Sequence, residues 1–349
     1  MDVSITVIHM EQSNIAVYGA YGHTGKFIVS RLYEQGYRPI LCGRDEEKLF
    51  SLRQEYPDLK IKVADINHPK TLDDAFSESK IIANCAGPFL DTAEPIIQSA
   101  LRLGKHYIDL SAEQKAVLDI IEQFSERAKL AEIVLIPAAA FYGGLGDLLS
   151  TALTQDWNQI DEISIYIGLD SWHPTKGTRL TGERNHHNTR FTFAGNRLQP
   201  LQESHPLKWD FPHPIGTKEI TALPLSEIIT ISHHLNVNTI NTYLSQNSLD
   251  DIRNPETPEP KPSDKKNRSS QHFCMHVAAV KGNEKRTLMA QGKDIYAVTA
   301  PLVVQAIKRI LSGELKKLGV TTLGEAFDST DFLKAMDTDD ITLSCILGN

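Results

Sequence analysis

The chain has 349 residues, more than one typical hydrophobic core contains, so we expect two domains. Its formal net charge of −8 argues against a nucleic-acid partner, which would require a basic face. Four scattered cysteines and histidine pairs that are direct neighbours in sequence give no support for a metal site, and we predict none. The most apolar window, residues 133–153, is interrupted by a proline, three glycines and an aspartate, so we expect no membrane span. Because the N-terminus lacks a signal-peptide pattern, we predict a cytoplasmic protein.

The first half of the chain alternates apolar runs with helix-like segments. The apolar runs are NIAVYGA, RPILCGR, IKVADI, IIANCAG, HYIDLS and EIVLIPAA. Helical patterns lie between them, for example near residues 70–77, 92–103 and 113–130. Strand followed by helix, repeated, is typical of a parallel sheet with right-handed crossovers. We therefore predict an α/β fold, with a Rossmann-type doubly wound domain over residues 1–150.

Beyond about residue 155 the pattern changes to longer strands and a hairpin turn at Ala194–Asn196. This predicts a second α/β domain with a mixed or antiparallel sheet over residues 151–295. Within it, residues 254–270 are dense in Pro, Lys and Ser, which predicts a flexible insert. Residues 297–313 form an amphipathic helical pattern that ends at Gly313.

The segment VYGAYGHTGKF places three glycines, Gly19, Gly22 and Gly25, between the first strand and the first helix. Gly19 suits a tight turn, Gly22 admits a diphosphate close to the backbone, and Gly25 lets the helix pack on the strand. The helix that follows directs free N–H groups toward an anion. We predict a dinucleotide site in this turn, with Tyr21, His23 and Thr24 as further contacts; a plain turn is the alternative.

The end of the second strand indicates which dinucleotide binds. NAD-binding proteins place an acidic residue there, whereas this chain has Arg44, followed by Lys48 one helical turn later. A guanidinium can bind a ribose 2′-phosphate. Asp45 is a possible acidic ribose ligand, but it is better placed as a helix cap. We therefore predict NADP, with NAD less favoured.

These motifs, together with NCAGPFLDTAEP, KGTRLT and GKDIYAVTAPLVVQAIKRIL, make the chain resemble the saccharopine dehydrogenase-like oxidoreductases. The resemblance implies that Asp65 lies near the adenine, and that the turn Cys85, Ala86, Gly87 and Pro88 lines the ribose and the approach to the nicotinamide. It also implies that C-terminal helices, within residues 296–349, complete the cofactor domain. A homodimer formed through the second sheet is a further implication of the resemblance.

Three residues at the carboxyl ends of the strands are candidates for acid–base chemistry: Asp109 and Glu113 after the fifth strand, and Tyr142 after the sixth. Asp147, nearby, has the position of a helix cap. In the second domain a basic stretch either binds an anionic group of the substrate or is a solvated surface; its members are Lys176, Arg179, Arg184 and Arg190.

The sequence thus predicts an NADP-dependent oxidoreductase that transfers hydride between NADPH and a C=O, C=N or C=C bond of a small, anionic substrate. A non-catalytic NADP-binding redox sensor or interaction protein is the alternative, because no proton donor is unmistakable in the sequence.

Overall fold

The structure, a computed structural model, describes residues 14–202, 205–336 and 338–345. In chain order the first half contains β1 (Ile15–Tyr18), α1 (His23–Glu34), β2 (Ile40–Gly43), α2 (Glu46–Glu55), β3 (Ile61–Val63), α3 (Pro69–Phe76), β4 (Ile81–Asn84), α4 (Phe89–Leu103), β5 (His106–Asp109), α5 (Gln114–Leu130), β6 (Val134–Ile136), a π-helical turn (Phe141–Leu145) and α6 (Gly146–Thr154).

The second half contains β7 (Ile160–Leu169), α7 (Lys176–Asn185), β8 (Phe191–Ala194), β9 (Leu198–Pro200), β10 (Leu207–Asp210), β11 (Thr217–Ala222), α8 (Glu227–Ser232), β12 (Val237–Ser245), α9 (Gln246–Arg253), β13 (His272–Lys281), β14 (Glu284–Lys293), α10 (Thr299–Leu311), β15 (Gly319–Val320), α11 (Leu323–Ala326), α12 (Ser329–Lys334) and β16 (Thr342–Cys345). Among all these described helices, none is long and apolar enough to cross a lipid bilayer.

The first sheet has seven parallel strands in the order β15-β6-β5-β4-β1-β2-β3. The order reverses between β1 and β4, which is the switch point where doubly wound folds bind ligands. All residues of β1 are buried, with Ile15 and Val17 in one core layer and Ala16 and Tyr18 in the other. The sheet is therefore covered on both faces, as its continuous apolar runs predicted.

The second sheet has nine strands, with the main path β10-β11-β12-β7-β13-β14-β16 and the hairpin β8–β9 attached to β12. The pair β7–β12 is parallel and the other pairs are antiparallel, so the prediction of a mixed sheet is confirmed. The β8–β9 turn has Gly195 at φ +62° and Asn196 at φ +58°, the left-handed conformation that such hairpins require.

The segment after residue 296 contributes to both sheets. Helix α10 packs on α1, and β15 extends the first sheet beside β6. Strand β16 instead pairs with β14 at the edge of the second sheet. The C-terminal residues therefore connect the two halves of the molecule rather than completing the first sheet alone.

Residues 254–270 contain no helix or strand, but hydrogen bonds fix them to their surroundings. The Arg179 guanidinium donates to the carbonyls of Asn254 at 3.2 Å and Thr257 at 2.8 Å. Near the other end, the Arg268 guanidinium donates to the Asp339 carbonyl at 2.6 Å. The irregular backbone follows from the composition, whereas these long-range contacts had no signal in the sequence.

Candidate active site

The turn after β1 depends on two of its glycines for its shape. Gly19 has φ +78°, and its N–H donates to the Cys42 carbonyl at 2.8 Å. A Cβ at Gly19 would lie 2.9 Å from the Cβ of Ala86, and a Cβ at Gly25 would lie 2.3 Å from the Gly19 oxygen. Side chains at these positions would therefore force the turn and the neighbouring loop apart.

Gly22 precedes α1, and no side chain caps this helix. Within the described part of the chain, the N–H groups of His23, Thr24 and Gly25 have no hydrogen-bond acceptor, and the first turn contains no acidic residue. A Cβ at Gly22 would meet the Gly19 oxygen at 3.1 Å and close the approach to these donors. Free N–H groups behind a residue without a side chain fit the diphosphate of a dinucleotide.

The end of β2 provides one unpaired cation. Arg44 is exposed and has no hydrogen bond or ion pair with any described residue. Asp45 caps α2 by accepting from the Lys48 N–H at 3.1 Å, and it also pairs with Lys48 Nζ at 2.8 Å. Asp45 thus acts as the cap that the sequence favoured, and Lys48 is partly neutralised. Arg44 is the group available for a 2′-phosphate.

Tyr21 and Asp65 shape the neighbouring loops. A Cβ at Gly43 would lie 2.6 Å from Cε1 of Tyr21, so this ring packs directly on the end of β2. The Tyr21 hydroxyl accepts from the Asp45 N–H at 3.2 Å. The Asp65 carboxylate accepts from the N–H and the side-chain amide of Asn67, at 2.8 and 2.9 Å. Both residues lie at the carboxyl edge of the sheet, and their contacts with a nucleotide stay a prediction.

The loop after β4, residues 85–88, faces the second half of the molecule. The Ala86 N–H donates to the Asn84 side chain at 3.1 Å, which fixes the start of the loop. Cys85 is half-buried, and burial raises the pKa of its thiol. The Gly87–Pro88 peptide is cis, and a Cβ at Gly87 would lie 3.1 Å from Thr181 Oγ1 of α7. The loop therefore packs closely against α7 of the second half.

Asp109 lies inside a closed hydrogen-bond network. Its Oδ1 accepts from the N–H groups of Ser111 at 2.9 Å and Ala138 at 2.8 Å, and its Oδ2 accepts from the Tyr107 hydroxyl at 2.9 Å. Burial raises the pKa of Asp109 to about 6, against the opposing effect of these hydrogen bonds. The side chain is fully buried and contacts protein groups, which gives it a supporting position between β5 and β6.

Glu113 connects the two halves of the molecule. Its carboxylate accepts from the N–H groups of Phe89 at 2.7 Å and Leu90 at 3.3 Å, at the start of α4. It also accepts from the Asn185 side chain of α7 at 3.0 Å. Burial raises the pKa of Glu113, and these hydrogen bonds oppose the rise. The geometry of Glu113 is that of a helix cap; its predicted acid–base role stays a prediction.

Tyr142 and Asp147 follow β6 and have different surroundings. The hydroxyl of Tyr142 is buried and has no hydrogen-bond partner. The prediction that Asp147 caps a helix is wrong, because the π-helical turn runs directly into α6 and leaves no free helix start. The Asp147 carboxylate instead contacts His234 Nε2 at 2.6 Å and accepts from the Gly324 N–H at 2.7 Å.

The basic stretch of the second domain does not form one cluster. Arg184 pairs with Asp91 at 2.9 Å on the surface, and Arg179 holds carbonyl groups of the 254–270 segment. Lys176 is exposed. Arg190 is the exception, because its Nη1 is buried without a partner.

Glu227 is a buried polar residue that sequence analysis missed. It is 0% exposed, and its Oε1 accepts from the Leu225 N–H at 2.8 Å while its Oε2 has no partner. A single carboxylate at the start of the largely apolar segment Ile228–Ile231 is the signal that could have drawn attention to it, because burying such a charge is costly and calls for a reason.

An open depression of about 440 Å³ lies elsewhere, lined by residues between Arg53 and Glu78. It adjoins the amino ends of β3 and β4, and doubly wound sheets bind their ligands at the carboxyl ends. Its volume therefore does not mark the nucleotide site.

The sheet order, the uncapped helix after the glycine turn and the free Arg44 define a Rossmann-type, NADP-binding protein. Residues 15–136 match the family model described as the saccharopine dehydrogenase NADP binding domain, so the predicted cofactor is confirmed. A saccharopine dehydrogenase-like oxidoreductase of Bos taurus is 25% identical over 146 residues, which are 37% of this chain and 34% of the bovine protein. A Mycobacterium tuberculosis protein named as a trans-acting enoyl reductase is 26% identical over 149 residues, 40% of this chain and 35% of that protein.

Among solved structures, the apo saccharopine dehydrogenase (L-Glu forming) of Saccharomyces cerevisiae superposes with a TM-score of 0.67 over 96% of this chain and 100% of that chain. At 12% identity this likeness shows a shared fold. The resemblance seen in the sequence is confirmed: residues 15–136 match the saccharopine dehydrogenase NADP binding domain, and the chain is similar to the saccharopine dehydrogenase-like oxidoreductases over this part. It spans about a third of the length of the curated relatives that it matches.

Proposed function

We propose that the protein is an NADPH-dependent oxidoreductase that reduces a C=O, C=N or C=C bond in a small, anionic substrate. The observation that carries the proposal is the helix start at residues 22–25, where three N–H groups lack acceptors behind a glycine. A bound nicotinamide cofactor supplies the hydride, so the protein itself has to bind the substrate and manage a proton.

The relatives support the reaction class. The bovine relative is named an oxidoreductase, the mycobacterial one an enoyl reductase and the structural neighbour a dehydrogenase. These names cover different bonds, so they favour reduction in general rather than one substrate.

The first test is a calorimetric titration of the protein with NADPH and with NADH. We expect NADPH to bind more tightly, and the Arg44→Ala variant to lose about 10- to 100-fold of its NADPH affinity, since one charge-assisted contact is removed. The NADH affinity of Arg44→Ala stays within about twofold of the wild-type value, because NADH lacks the 2′-phosphate that Arg44 would contact.

Arg53→Ala is the matched control, because Arg53 is also an exposed arginine but lies in the last turn of α2. It leaves both affinities unchanged. Equal binding of the two nucleotides by the wild type and by Arg44→Ala would remove Arg44 from the site.

The second test separates an enzyme from a redox sensor. A sensor is favoured by one observation, namely that the carboxylates of Asp109 and Glu113 are occupied by protein donors. NADPH oxidation is measured with a panel of ketones, imines and enoyl compounds. Consumption of NADPH with any of them supports the enzyme; tight binding without consumption supports the sensor.

A further inference from the structure

Four buried polar atoms from separate elements make no hydrogen bond of normal geometry with any residue that the structure describes: the Tyr142 hydroxyl, Arg190 Nη1, Glu227 Oε2 and Thr242 Oγ1. Tyr142 is 7% exposed, Thr242 3% and Glu227 0%. Native proteins contain few unpaired buried polar atoms, and each one calls for an explanation. We call these four residues the unpaired cluster.

Arg190 lies beside the segment that leads to Glu227. The Gln114 side chain holds the two segments together, because its amide donates to the Phe191 carbonyl at 2.8 Å and to the Leu225 carbonyl at 3.1 Å. Each charged group shifts the pKa of the other, yet no ion pair forms between them. Two oppositely charged groups that lie near each other without pairing can both contact a polar ligand.

Thr242 lies on the strand next to Arg190. In the antiparallel pairing of β8 with β12, Phe193 faces Ile240, so the chain from Phe193 back to Arg190 runs alongside Thr242. The Thr242 hydroxyl lies within hydrogen-bonding reach of the Glu227 carboxyl and lowers its pKa, although the contact falls outside normal hydrogen-bond geometry.

Tyr142 lies in the π-helical turn that packs on the start of α8. The Thr230 hydroxyl donates to the Gly143 carbonyl at 3.1 Å. A Cβ at Gly146 would lie 3.3 Å from the Cβ of Glu227. Gly146 begins α6 directly after the π-helical turn, so this turn lies against the start of α8 near Glu227, and Tyr142 belongs to it.

Two aromatic side chains connect the unpaired cluster to the glycine turn. The Tyr142 ring lies 5.8 Å from the ring of Trp172, whose indole N–H donates to the Tyr296 hydroxyl at 2.9 Å. The Tyr296 ring in turn lies 5.2 Å from the ring of His23, the first residue of α1. Trp172 and Tyr296 thus form a continuous series of contacts from the cluster to the first residue of α1.

The charges of the cluster favour a ligand that is an acid. Burial lowers the pKa of Arg190, and the Arg253 guanidinium nearby lowers it further. Burial raises the pKa of Glu227, which the Leu225 N–H and Arg190 partly oppose. Because its pKa is raised, the Glu227 carboxyl stays protonated to a higher pH than an ordinary carboxyl. Beside the guanidinium groups of Arg190 and Arg253, it leaves the site with an excess of positive charge.

We propose that the unpaired cluster is the substrate site, in which Arg190 binds the carboxylate of a small oxo acid and Glu227 donates the proton to its carbonyl oxygen. This inference rests on the proposed oxidoreductase function and adds the substrate class and the proton donor. The hydroxyl groups of Tyr142 and Thr242 orient the carbonyl by hydrogen bonds.

The step balances without a further reactant. The C=O π bond breaks as the carbon receives a hydride from NADPH, which is oxidised to NADP⁺, and the oxygen receives the proton of the Glu227 carboxyl. Glu227 becomes a carboxylate that Arg190 stabilises, and solvent returns its proton after the product leaves.

The binding test uses oxamate, an unreactive analogue of an oxo acid, titrated into the NADPH-loaded protein by calorimetry. We expect Arg190→Met to weaken oxamate binding about 10- to 100-fold and Arg190→Lys to weaken it less, because lysine keeps the charge. Arg197→Met, an exposed arginine in the β8–β9 turn, is the control and leaves binding unchanged. Absence of oxamate binding would mean that ordered water alone satisfies these atoms, which would overturn this inference while NADPH binding stands.

The kinetic test uses oxo acids with Glu227→Gln. We expect kcat to fall about 10²- to 10⁴-fold, with NADPH and oxamate affinities retained. In the wild type the rate falls as the pH rises through the raised pKa of Glu227, because the acid form is required, and Glu227→Gln removes this limb. The control is Glu162→Gln, because the Glu162 carboxylate contacts Ser164 and Asn241 and does not belong to the unpaired cluster.

Full kcat in Glu227→Gln would overturn the assignment of the proton donor. NADPH oxidation with imines or enoyl compounds, but not with oxo acids, would overturn the substrate class and leave the proposed function intact. If no oxo acid, imine or enoyl compound supports NADPH oxidation, both the substrate class and the proposed oxidoreductase function are overturned.

Discussion

The polar groups at the carboxyl ends of β4 and β5 and those of the unpaired cluster are equally buried, but they differ in their partners. Asn84, Tyr107 and Asp109 form a continuous chain, in which the Asn84 amide donates to the Tyr107 hydroxyl at 3.2 Å and that hydroxyl donates to Asp109. In the unpaired cluster, the Tyr142 hydroxyl and Glu227 Oε2 make no hydrogen bond of normal geometry with any described residue. A buried carboxylate is therefore a poor marker of catalysis unless its hydrogen-bonding capacity is still available.

From this difference we predict that the hydrogen-bonded chain of Asn84, Tyr107 and Asp109 stabilises the fold, whereas the unpaired cluster does not. Asp109→Ala removes the acceptor for three buried donors, at about 1–3 kcal/mol each, so we expect the free energy of unfolding to fall by at least about 3 kcal/mol. The measurement is chemical denaturation, with Asp119→Ala as the control because Asp119 pairs with Lys115 near the surface. If Asp109→Asn folded with wild-type stability and NADPH affinity but had lost turnover, Asp109 would have a functional role and the stabilising role assigned to it here would be wrong.

The contact between His234 and Asp147 is a second buried polar pair, and its contribution to the free energy of unfolding should depend on pH. Burial alone would lower the pKa of His234, but Asp147, with Glu325 on α11, raises it above 6.5, while Lys317 opposes the rise. The raised pKa means that the stabilisation is fully present below the unfolded-state pKa and is lost as the pH rises through the folded-state pKa. His234→Gln should therefore cost about 1.5–3 kcal/mol near pH 6 and less near pH 8.

Denaturation of both proteins across this pH range measures the effect. The neighbouring His233 acts in the opposite sense, because burial lowers its pKa, but it is present in both proteins and largely cancels from the difference. A constant difference between wild type and variant would show that folding does not raise the pKa of His234.

The smallest effect is expected at Tyr142, where the comparison predicts almost no change in stability. Tyr142→Phe removes a hydroxyl without a protein partner, so the free energy of unfolding should stay the same or rise by up to about 1 kcal/mol. Thermal unfolding without ligand measures this. A loss above about 1 kcal/mol would reveal a structural partner for the hydroxyl and remove Tyr142 from the unpaired cluster.

Much of the cofactor site could be predicted because its signals are local. The glycine turn, the cap at Asp45 and the free Arg44 depend on residues within a few positions of each other, where spacing determines backbone geometry. The candidates for acid–base chemistry were chosen by their position after a strand, and position does not reveal that Asp109 and Glu113 find partners on other elements.

The doubly wound sheet, the mixed second sheet and the glycine turn could be predicted from local patterns, because strand periodicity, helix caps and glycine conformations are properties of short segments. The entry of β15 and β16 into different sheets, the contact of Asp147 with His234 and the proximity of Arg190, Glu227 and Thr242 emerged from the three-dimensional packing. These contacts join residues far apart in the chain, and whether a buried polar group is satisfied depends on what the fold places beside it.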